Sequence, residues 1–230
     1  LPLLTKAMTS GEAVTFEEYV AMLDRWYLVS FYPRGEEELA SFYRDITERK
    51  RHEQRQEFLL RYADVLRAQS HEQAIKEQTV RMLGEHLRAD RCFLYVRDPA
   101  RGRGRIALAW RLDEAVPDPR HDWQDDTGAL PAEDPLFRAA LAGEPTVYVA
   151  DVEAAGPEVL NRDFEHRTFG HRALVHAPIL DAEGRLWGIL QPCVFGHPRH
   201  WTPAERAYLE AALPPLLPVV QAYLQGQHVG

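Results

Sequence analysis

The chain has 230 residues, of which 45% are hydrophobic and 27% are charged, and its formal net charge is −8. The hydrophobic content is ordinary for a globular protein, and no apolar run approaches the roughly 20 residues that a membrane-spanning helix needs. The negative charge argues against nucleic-acid binding, because contacts to phosphate require a basic surface. With no membrane span and no export signal, the protein is predicted to be cytoplasmic.

The first part of the chain is predicted to form a short antiparallel meander. Residues 1–11 have the pattern of a helix end, and three short aromatic and β-branched runs follow over 14–43, separated by turn-forming segments. Three strands bury little surface by themselves, so we expect this meander to be marginal in isolation.

An abrupt change from strand to helix is predicted within FYRDITERKR, residues 42–51. Asp45 is a suitable N-cap, Glu48 completes a capping-box pattern, and both acids oppose the positive end of the helix dipole. The helix should start at about Ile46 and reach about Gln69. Its first half has no apolar residue, whereas its second half carries a stripe that should pack on a body or on a twin helix. The stripe consists of Phe58, Leu59, Tyr62, Val65 and Leu66.

The rest of the chain is predicted to be an α+β body, an antiparallel sheet flanked by helices. After a helix capped by Ser70, the strand at 91–98 has apolar side chains on both faces and should therefore be central. Residues 153–170 show little periodicity. The other predicted elements are strands at 105–113, 146–152, 172–180 and 185–195, a loop at 114–131 and a helix at 132–142.

A terminal helix is predicted from Thr202, because a Thr N-cap followed by Pro at the first helical position is a favoured start. Three prolines, Pro214, Pro215 and Pro218, should then interrupt it.

The residues at FYRDITERKR resemble the end of a PAS domain, whose last strand commonly leads through Asp-Ile-Thr into a signalling helix. The runs GEAVTFEEYV, RWYLVSFYP and ELASFYRDIT are similar to the last three strands of that fold. The resemblance implies the C-terminal part of a PAS domain at 1–46 and a connector helix at 47–69. It also implies that Asp45, Thr47 and Glu48 form the signal junction.

From Phe58 to Leu224 the chain resembles a GAF domain. The runs LRADRCFLYVRD, LAGEPTVYVADV, FGHRALVHAPILDAEGRLWGIL and HPRHWTPAERAYLEAAL carry this resemblance. It implies a GAF domain at 70–226 with a tail at 227–230, within a bacterial multidomain signalling protein such as a sensor histidine kinase. It further implies a sensory role, a homodimer paired through the connector helices, and a kinase or cyclase output domain outside this chain.

Aromatic and imidazole side chains are the candidates for a ligand pocket. A sheet with one face closed by loops is a usual place for a concave apolar site with few polar groups. On strand alternation, His176 shares a face with Leu174 and Leu180 and should point toward such a pocket. The full set of candidates is Trp110, His121, Trp123, Phe164, Phe169, His176 and Trp187. The alternative is that these side chains only fill the core and that the module binds nothing.

Catalytic and metal-binding patterns are weak. His166, His171 and His176 recur every five residues, which does not place them on one helix face, and no Cys or carboxylate lies near them at a recognised metal spacing. No Ser has a GxSxG setting, and no helix follows the RGRGR run as a phosphate loop would require. We therefore predict no enzyme, no catalytic residue and no metal site.

The nature of any cofactor is left open by the sequence. One alternative is a photo- or redox sensor that holds bilin, haem or metal, and a less favoured one is a thiol reductase on the GAF scaffold. Bilin-binding members of the family attach the pigment through a Cys that usually lies beside a His. Cys92 and Cys193 have no neighbouring His, and we expect both to be small buried hydrophobic groups.

Overall fold

The computed structural model describes residues 12–34, 38–68 and 73–226. The chain divides into two compact units, with the division between Phe58 and Leu59. The helix end predicted at 1–11, the N-cap Ser70 and the tail at 227–230 lie outside the described residues.

The first unit is built on a three-stranded antiparallel sheet. Its strands are β1 Val14–Val20, β2 Arg25–Pro33 and β3 Leu39–Asp45, in the spatial order β1-β2-β3. Val29 and Phe31 form its buried centre, whereas Phe42 and Tyr43 are exposed. The predicted meander is therefore confirmed.

Helix α1, Thr47–Ala68, begins directly after β3. Asp45 Oδ1 accepts hydrogen bonds from Thr47 N at 2.9 Å and from Thr47 Oγ1 at 2.6 Å. The predicted capping box is wrong, because the Glu48 side chain is exposed and its carboxylate accepts from Arg51 at 3.3 Å. The first turn is held instead by Asp45 and by Trp26, whose backbone N–H donates to Thr47 Oγ1.

The second unit contains a six-stranded antiparallel sheet flanked by helices. Its strands are β4 Arg91–Asp98, β5 Arg103–Arg111, β6 Gln124–Asp125, β7 Val147–Val149, β8 Ala173–Leu180 and β9 Leu186–Val194, in the order β6-β5-β4-β9-β8-β7. Its helices after α1 are α2 Gln73–His86, α3 Leu130–Glu133, α4 Pro135–Leu141, α5 Arg162–Thr168, α6 Pro203–Ala212 and α7 Leu216–Gly226. The predicted α+β class with an antiparallel sheet is confirmed.

Strand β4 lies inside the sheet, between β5 and β9, as its two apolar faces predicted. Cys92 and Leu94 are buried on the face covered by α2, and Phe93 and Tyr95 are buried on the face covered by α4. The two faces therefore have different neighbours, a bundle of longer helices on one side and short helices with loops on the other.

The segment between β6 and β8 differs from its prediction. The helix expected at 132–142 is interrupted at Asp134, which is extended (φ −113°, ψ 100°) and caps α4 in front of Pro135. The stretch at 153–170, expected to be irregular, contains α5, and its N-cap Asn161 accepts a hydrogen bond from Phe164 N at 3.2 Å. Short helices of one or two turns give too little periodicity for a pattern to identify.

The terminal helices agree with their predicted signals. Thr202 Oγ1 accepts from Glu205 N at 3.2 Å, and Glu205 Oε2 accepts from Thr202 N at 2.8 Å, so α6 starts with a complete capping box. The helix ends before Pro214, and α7 follows as a separate helix, but Pro218 lies in the first turn of α7 and does not interrupt it. Within the ranges that the structure describes, no helix combines the length and the apolar character needed to cross a membrane.

Candidate functional site

A cavity of about 460 Å³ lies within the second unit, between the sheet and the short helices α3, α4 and α5. Strands β4, β5, β8 and β9 supply one side, and the loop before β6 supplies part of the rim. Its volume falls within the range of roughly 300–1,000 Å³ that is typical of small-molecule sites. The cavity is therefore large enough to hold a small molecule.

Aromatic rings form most of the apolar wall. Phe93 and Phe169 are stacked, with ring centroids 5.7 Å apart and an angle of 17° between the planes. Phe137 meets Tyr95 edge-on at 5.7 Å, and Phe164 meets Phe169 edge-on at 6.2 Å. Such walls favour a ligand with a flat apolar body, because aromatic groups pack well in stacked and edge-to-face arrangements.

His176 lines this cavity and has one ring nitrogen without a hydrogen-bond partner. Its side chain is nearly buried, with 5% exposure, and Nδ1 lies 3.0 Å from Gln191 Oε1. Because an amide oxygen only accepts, Nδ1 carries the proton and Nε2 is left with a lone pair. Nε2 is buried and has no hydrogen-bond partner. Burial lowers the pKa of His176 to about 4, so the ring is neutral near pH 7.

A buried acid and a buried ion pair lie at the same end of the cavity. Burial lowers the pKa of His171, but hydrogen bonds with Cys193 and Glu165 outweigh it and raise the pKa to about 9. The ring Nε2 lies 2.6 Å from Glu165 Oε2, and both side chains are buried. Burial, followed by the nearby Glu165 carboxylate, raises the pKa of Asp134 to about 7. Asp134 thus ionises close to neutral pH.

Arg91 joins two loops at the edge of the cavity to strand β4. The side chain is buried, and its Nη1 and Nη2 donate to the carbonyl oxygens of Pro117 at 2.9 Å and Phe169 at 3.3 Å. The loop containing Pro117 leads into the lining residues Pro119 and His121. Because the donors of a guanidinium group have a fixed geometry, Arg91 is well suited to hold these two backbone segments at a fixed separation from each other.

The structure places four of the seven predicted pocket residues at this cavity: His121, Phe164, Phe169 and His176. Trp110 instead packs against Gly84 of α2, on the opposite face of the sheet, because it pairs with Cys92 in the ladder. Trp123 lies beside the guanidinium of Arg103, and Trp187 donates its indole N–H to Asp181 at 2.8 Å.

Several lining residues were not expected from the sequence. Phe93, Tyr95, Phe137 and Gln191 line the cavity, as does Asp134. The Asp-Pro pair at Asp134 is a recognisable helix start and was the one local signal available. The contact of Glu165 with His171 has no such signal, because it depends on how the chain turns back after α5.

Neither cysteine lines the cavity. Cys92 and Cys193 are free and buried, and burial raises the pKa of the Cys92 thiol. A thiol of this kind is a poor nucleophile, because the thiolate is the reactive form. In the part of the chain that the structure describes, no three His, Cys, Asp or Glu side chains are grouped so that they could hold a metal ion.

Comparisons with known proteins identify a matching domain family and several similar structures. The family model of the GAF domain matches residues 71–213. One similar structure is the phycoerythrobilin-bound GAF domain from a cyanobacterial phytochrome, at TM-score 0.57 and 19% identity over 74% of this chain and 96% of that chain. Another is the GAF domain from Acinetobacter phosphoenolpyruvate-protein phosphotransferase, at TM-score 0.56 and 14% identity over 76% and 98%.

A third similar structure is that of an enzyme. The free methionine-R-sulfoxide reductase from Neisseria meningitidis, solved in complex with its substrate, has a TM-score of 0.54 and 19% identity over 75% of this chain and 91% of that chain. At these identities the likeness concerns the fold alone. No curated protein matches the sequence.

Proposed function

Because this chain belongs to the GAF domain family, we propose that it is a sensory module that binds a small molecule in the cavity between its sheet and helices α3 to α5. The observation that carries the proposal is an aromatic cavity lined by His176, whose buried Nε2 has no hydrogen-bond partner. Protein interiors are close-packed, and leaving a buried acceptor without a partner costs about 1–3 kcal/mol. A ligand that fills the space and donates to Nε2 accounts for both features.

The ligand would act on helices across the sheet. Helices α2 and α7 pack on the sheet, α2 on the face opposite the cavity, and Tyr62 near the end of α1 donates to Ala212 O of α6 at 3.3 Å. A ligand shifts such helices only if it binds two arrangements of the protein with different affinity. In our proposal the shift passes along α1 in a homodimer and reaches a kinase or cyclase domain outside this chain.

The first unit would be the end of a PAS domain in this arrangement. Support comes from its three antiparallel strands, which lead through Asp45, Ile46 and Thr47 into α1. In this proposal the junction receives a second input, separate from the cavity.

The alternative sensors and the enzyme have less support. A bilin attached through a thioether would need a thiol at the cavity, and neither Cys lines it. The same absence disfavours a thiol reductase that uses this cavity. An absorption band at longer wavelength than the aromatic side chains, in protein from its native host, would support the alternative of a chromophore-bearing sensor.

The experiment is a thermal-shift screen of the chain against a small-molecule library, repeated with Thr168→Trp. Thr168 is exposed at the end of α5 and lines the cavity, so a Trp at this position should block the space. We expect compounds that raise the melting temperature of the native chain and do not raise that of the variant. The control is Thr15→Trp, which adds the same side chain at an exposed position in the first unit.

Two outcomes would contradict the proposed function. One is a screen in which no compound stabilises the native chain. The other is a set of stabilising compounds that act equally on Thr168→Trp, which would place their site outside the cavity.

A further inference from the structure

The polar atoms of the cavity restrict the chemistry of what it can hold. We infer that the cavity binds a flat aromatic ligand that presents an N–H or O–H donor to His176 Nε2 and carries no negative charge. This inference rests on the proposed function, because it names the ligand class of the same cavity.

The requirement for a donor follows from the fixed tautomer of His176. Gln191 Oε1 accepts a hydrogen bond from Nδ1–H, so Nε2 can act only as an acceptor while the ring is neutral. Protonation of the ring is opposed by burial, and the charged groups nearby, Glu165 and His171, act in opposite directions on it. A ligand that places a second lone pair against Nε2 would leave both groups unsatisfied, whereas an N–H or O–H group would satisfy them.

The exclusion of anions follows from the ionisable groups around the cavity. Three acids line it, Asp118, Glu133 and Asp134, and Asp118 is paired with Arg120 at 2.6 Å. Among the residues that the structure describes, the one arginine that lines the cavity is Arg167, which is exposed and already donates to Glu133 at 3.0 Å. Behind the wall, His171 is paired with Glu165. Among the described lining residues a carboxylate or phosphate would therefore meet acids and no arginine that is not already paired with one, and its desolvation would not be compensated.

The aromatic wall adds the requirement for a flat body. Phe93 and Phe169 are nearly parallel and stacked, and Phe137 and Tyr95 belong to the same apolar cluster as Phe93. Apolar rings in such a site bind by stacking and by release of water from apolar surface.

The test uses three probes with one ring outline, titrated calorimetrically into the full chain. Indole carries an N–H donor, benzothiophene has sulfur at that position, and indole-2-carboxylate keeps the N–H but is anionic. Indole should bind about tenfold more tightly than benzothiophene, the effect of one hydrogen bond to a buried acceptor. Indole-2-carboxylate should bind more weakly than both.

The variant His176→Phe keeps a ring and removes the acceptor, so the ratio between indole and benzothiophene should fall to near one. The control is His200→Phe at an exposed position outside the cavity, and it should keep the tenfold ratio. In the native chain, the nitrogen NMR signal of His176 Nε2 should move when indole is added and stay unchanged with benzothiophene. If His176→Phe does not fold, this NMR measurement alone tests whether the ligand donates a hydrogen bond to His176 Nε2.

Equal binding of indole and benzothiophene, or tightest binding of indole-2-carboxylate, would overturn the ligand class. Such binding would leave the proposed function intact, provided that Thr168→Trp abolishes it. Absence of binding by all three probes would also overturn the class, and the library screen then decides separately whether the cavity binds any small molecule.

Discussion

Asp134 has two tasks at the edge of the cavity. Its Oδ1 accepts from Leu136 N at 3.0 Å and so caps α4, while its carboxyl group is nearly buried beside Glu165. Capping favours the charged form, whereas burial and the neighbouring carboxylate favour the neutral form, and the second pair of effects is larger. The residue is therefore a source of pH-dependent stability.

We expect Asp134→Asn to stabilise the protein at alkaline pH and to have little effect in acid. The pKa of Asp134 is about 7 in the folded protein and 3.8 ordinarily, so the unfolded chain releases the proton first. The stability contributed by this group is full below about pH 4 and declines as the pH rises to about 7. Asn keeps the acceptor for the cap and does not ionise. The gain at pH 8 should be on the order of 2 kcal/mol.

Urea denaturation at pH 4, 6 and 8 would measure this difference. Asp113→Asn is the matched control, because Asp113 also accepts from a backbone N–H, that of Ala115, but is exposed. A gain that is equal at pH 4 and pH 8 would show that ionisation of Asp134 is not the cause.

At the scale of a single element, α1 depends on a short set of contacts at its start. Hydrogen bonds from Thr47 and an ion pair with Arg25 lower the pKa of Asp45 to about 2, so its carboxylate is charged at all ordinary pH values. Farther along the first turns, Arg49 and Lys50 both pair with Glu17 of β1. The helix start is thus joined to the sheet of its own unit.

The variant Asp45→Ala should loosen the first turn of α1 without unfolding the chain. Removal of an N-cap leaves early backbone N–H groups without a partner, so hydrogen exchange at Thr47 and the following amides should become several-fold faster. Exchange in β2 should stay slow. The matched control is Glu48→Ala, whose side chain is exposed. Global unfolding of Asp45→Ala would mean that the junction serves folding and not signalling.

At the scale of the whole molecule, fewer side chains of the apolar stripe on α1 are available to contact a partner helix in the proposed dimer than the sequence indicated. Phe58 and Tyr62 are already buried within the single chain, at 8% and 1% exposure. Leu59 and Leu66 are half-buried, and their seven-residue spacing places them along one edge of the helix. Leu60 is 65% exposed and lies on another side of the helix. A partner helix would therefore pack along the edge formed by Leu59 and Leu66.

Light scattering of the full chain should give the mass of a dimer, and Leu66→Glu should give that of a monomer. A charge in a packed apolar edge is unfavourable, because its desolvation has no compensating partner. Leu60→Glu is the control and should remain dimeric. A native chain that is monomeric at high concentration would contradict the proposed dimer, as would a dimer that Leu66→Glu does not disturb.

Much of the fold could be predicted because its signals are local. The alternating strand β4, the hairpin of β8 and β9 and the capping box at Thr202 each depend on residues within one element or one turn. Other local signals were insufficient. Asp45 and Glu48 have capping-box spacing, but the Asp45 carboxylate accepts from Thr47 N. The Thr47 side chain is in turn held by the backbone N–H of Trp26, which lies on a neighbouring strand.

The residues of the candidate site were predictable only in part, because the sequence does not show which face of a strand such as β4 or β5 lines the cavity. Both faces of these strands are apolar, so their pattern does not indicate which face has the cavity. Trp110 pairs with Cys92 and lies toward α2, while Phe93, one residue farther along β4, lies toward the cavity. Side chains alternate along a strand, and a shift of one residue exchanges the two faces.

Composition, alternation and capping residues by themselves determined the α+β class, the central strand and the helix start at Thr202, because each depends on chemistry within a few neighbouring residues. Only the tertiary structure decided that Glu165 meets His171, that Asp134 is buried beside them, and that His176 Nε2 is left without a partner. These features arise where segments distant in the chain come together and exclude water. Burial and long-range contact change the pKa and the hydrogen-bonding state of a side chain, and neither can be read from its neighbours in sequence.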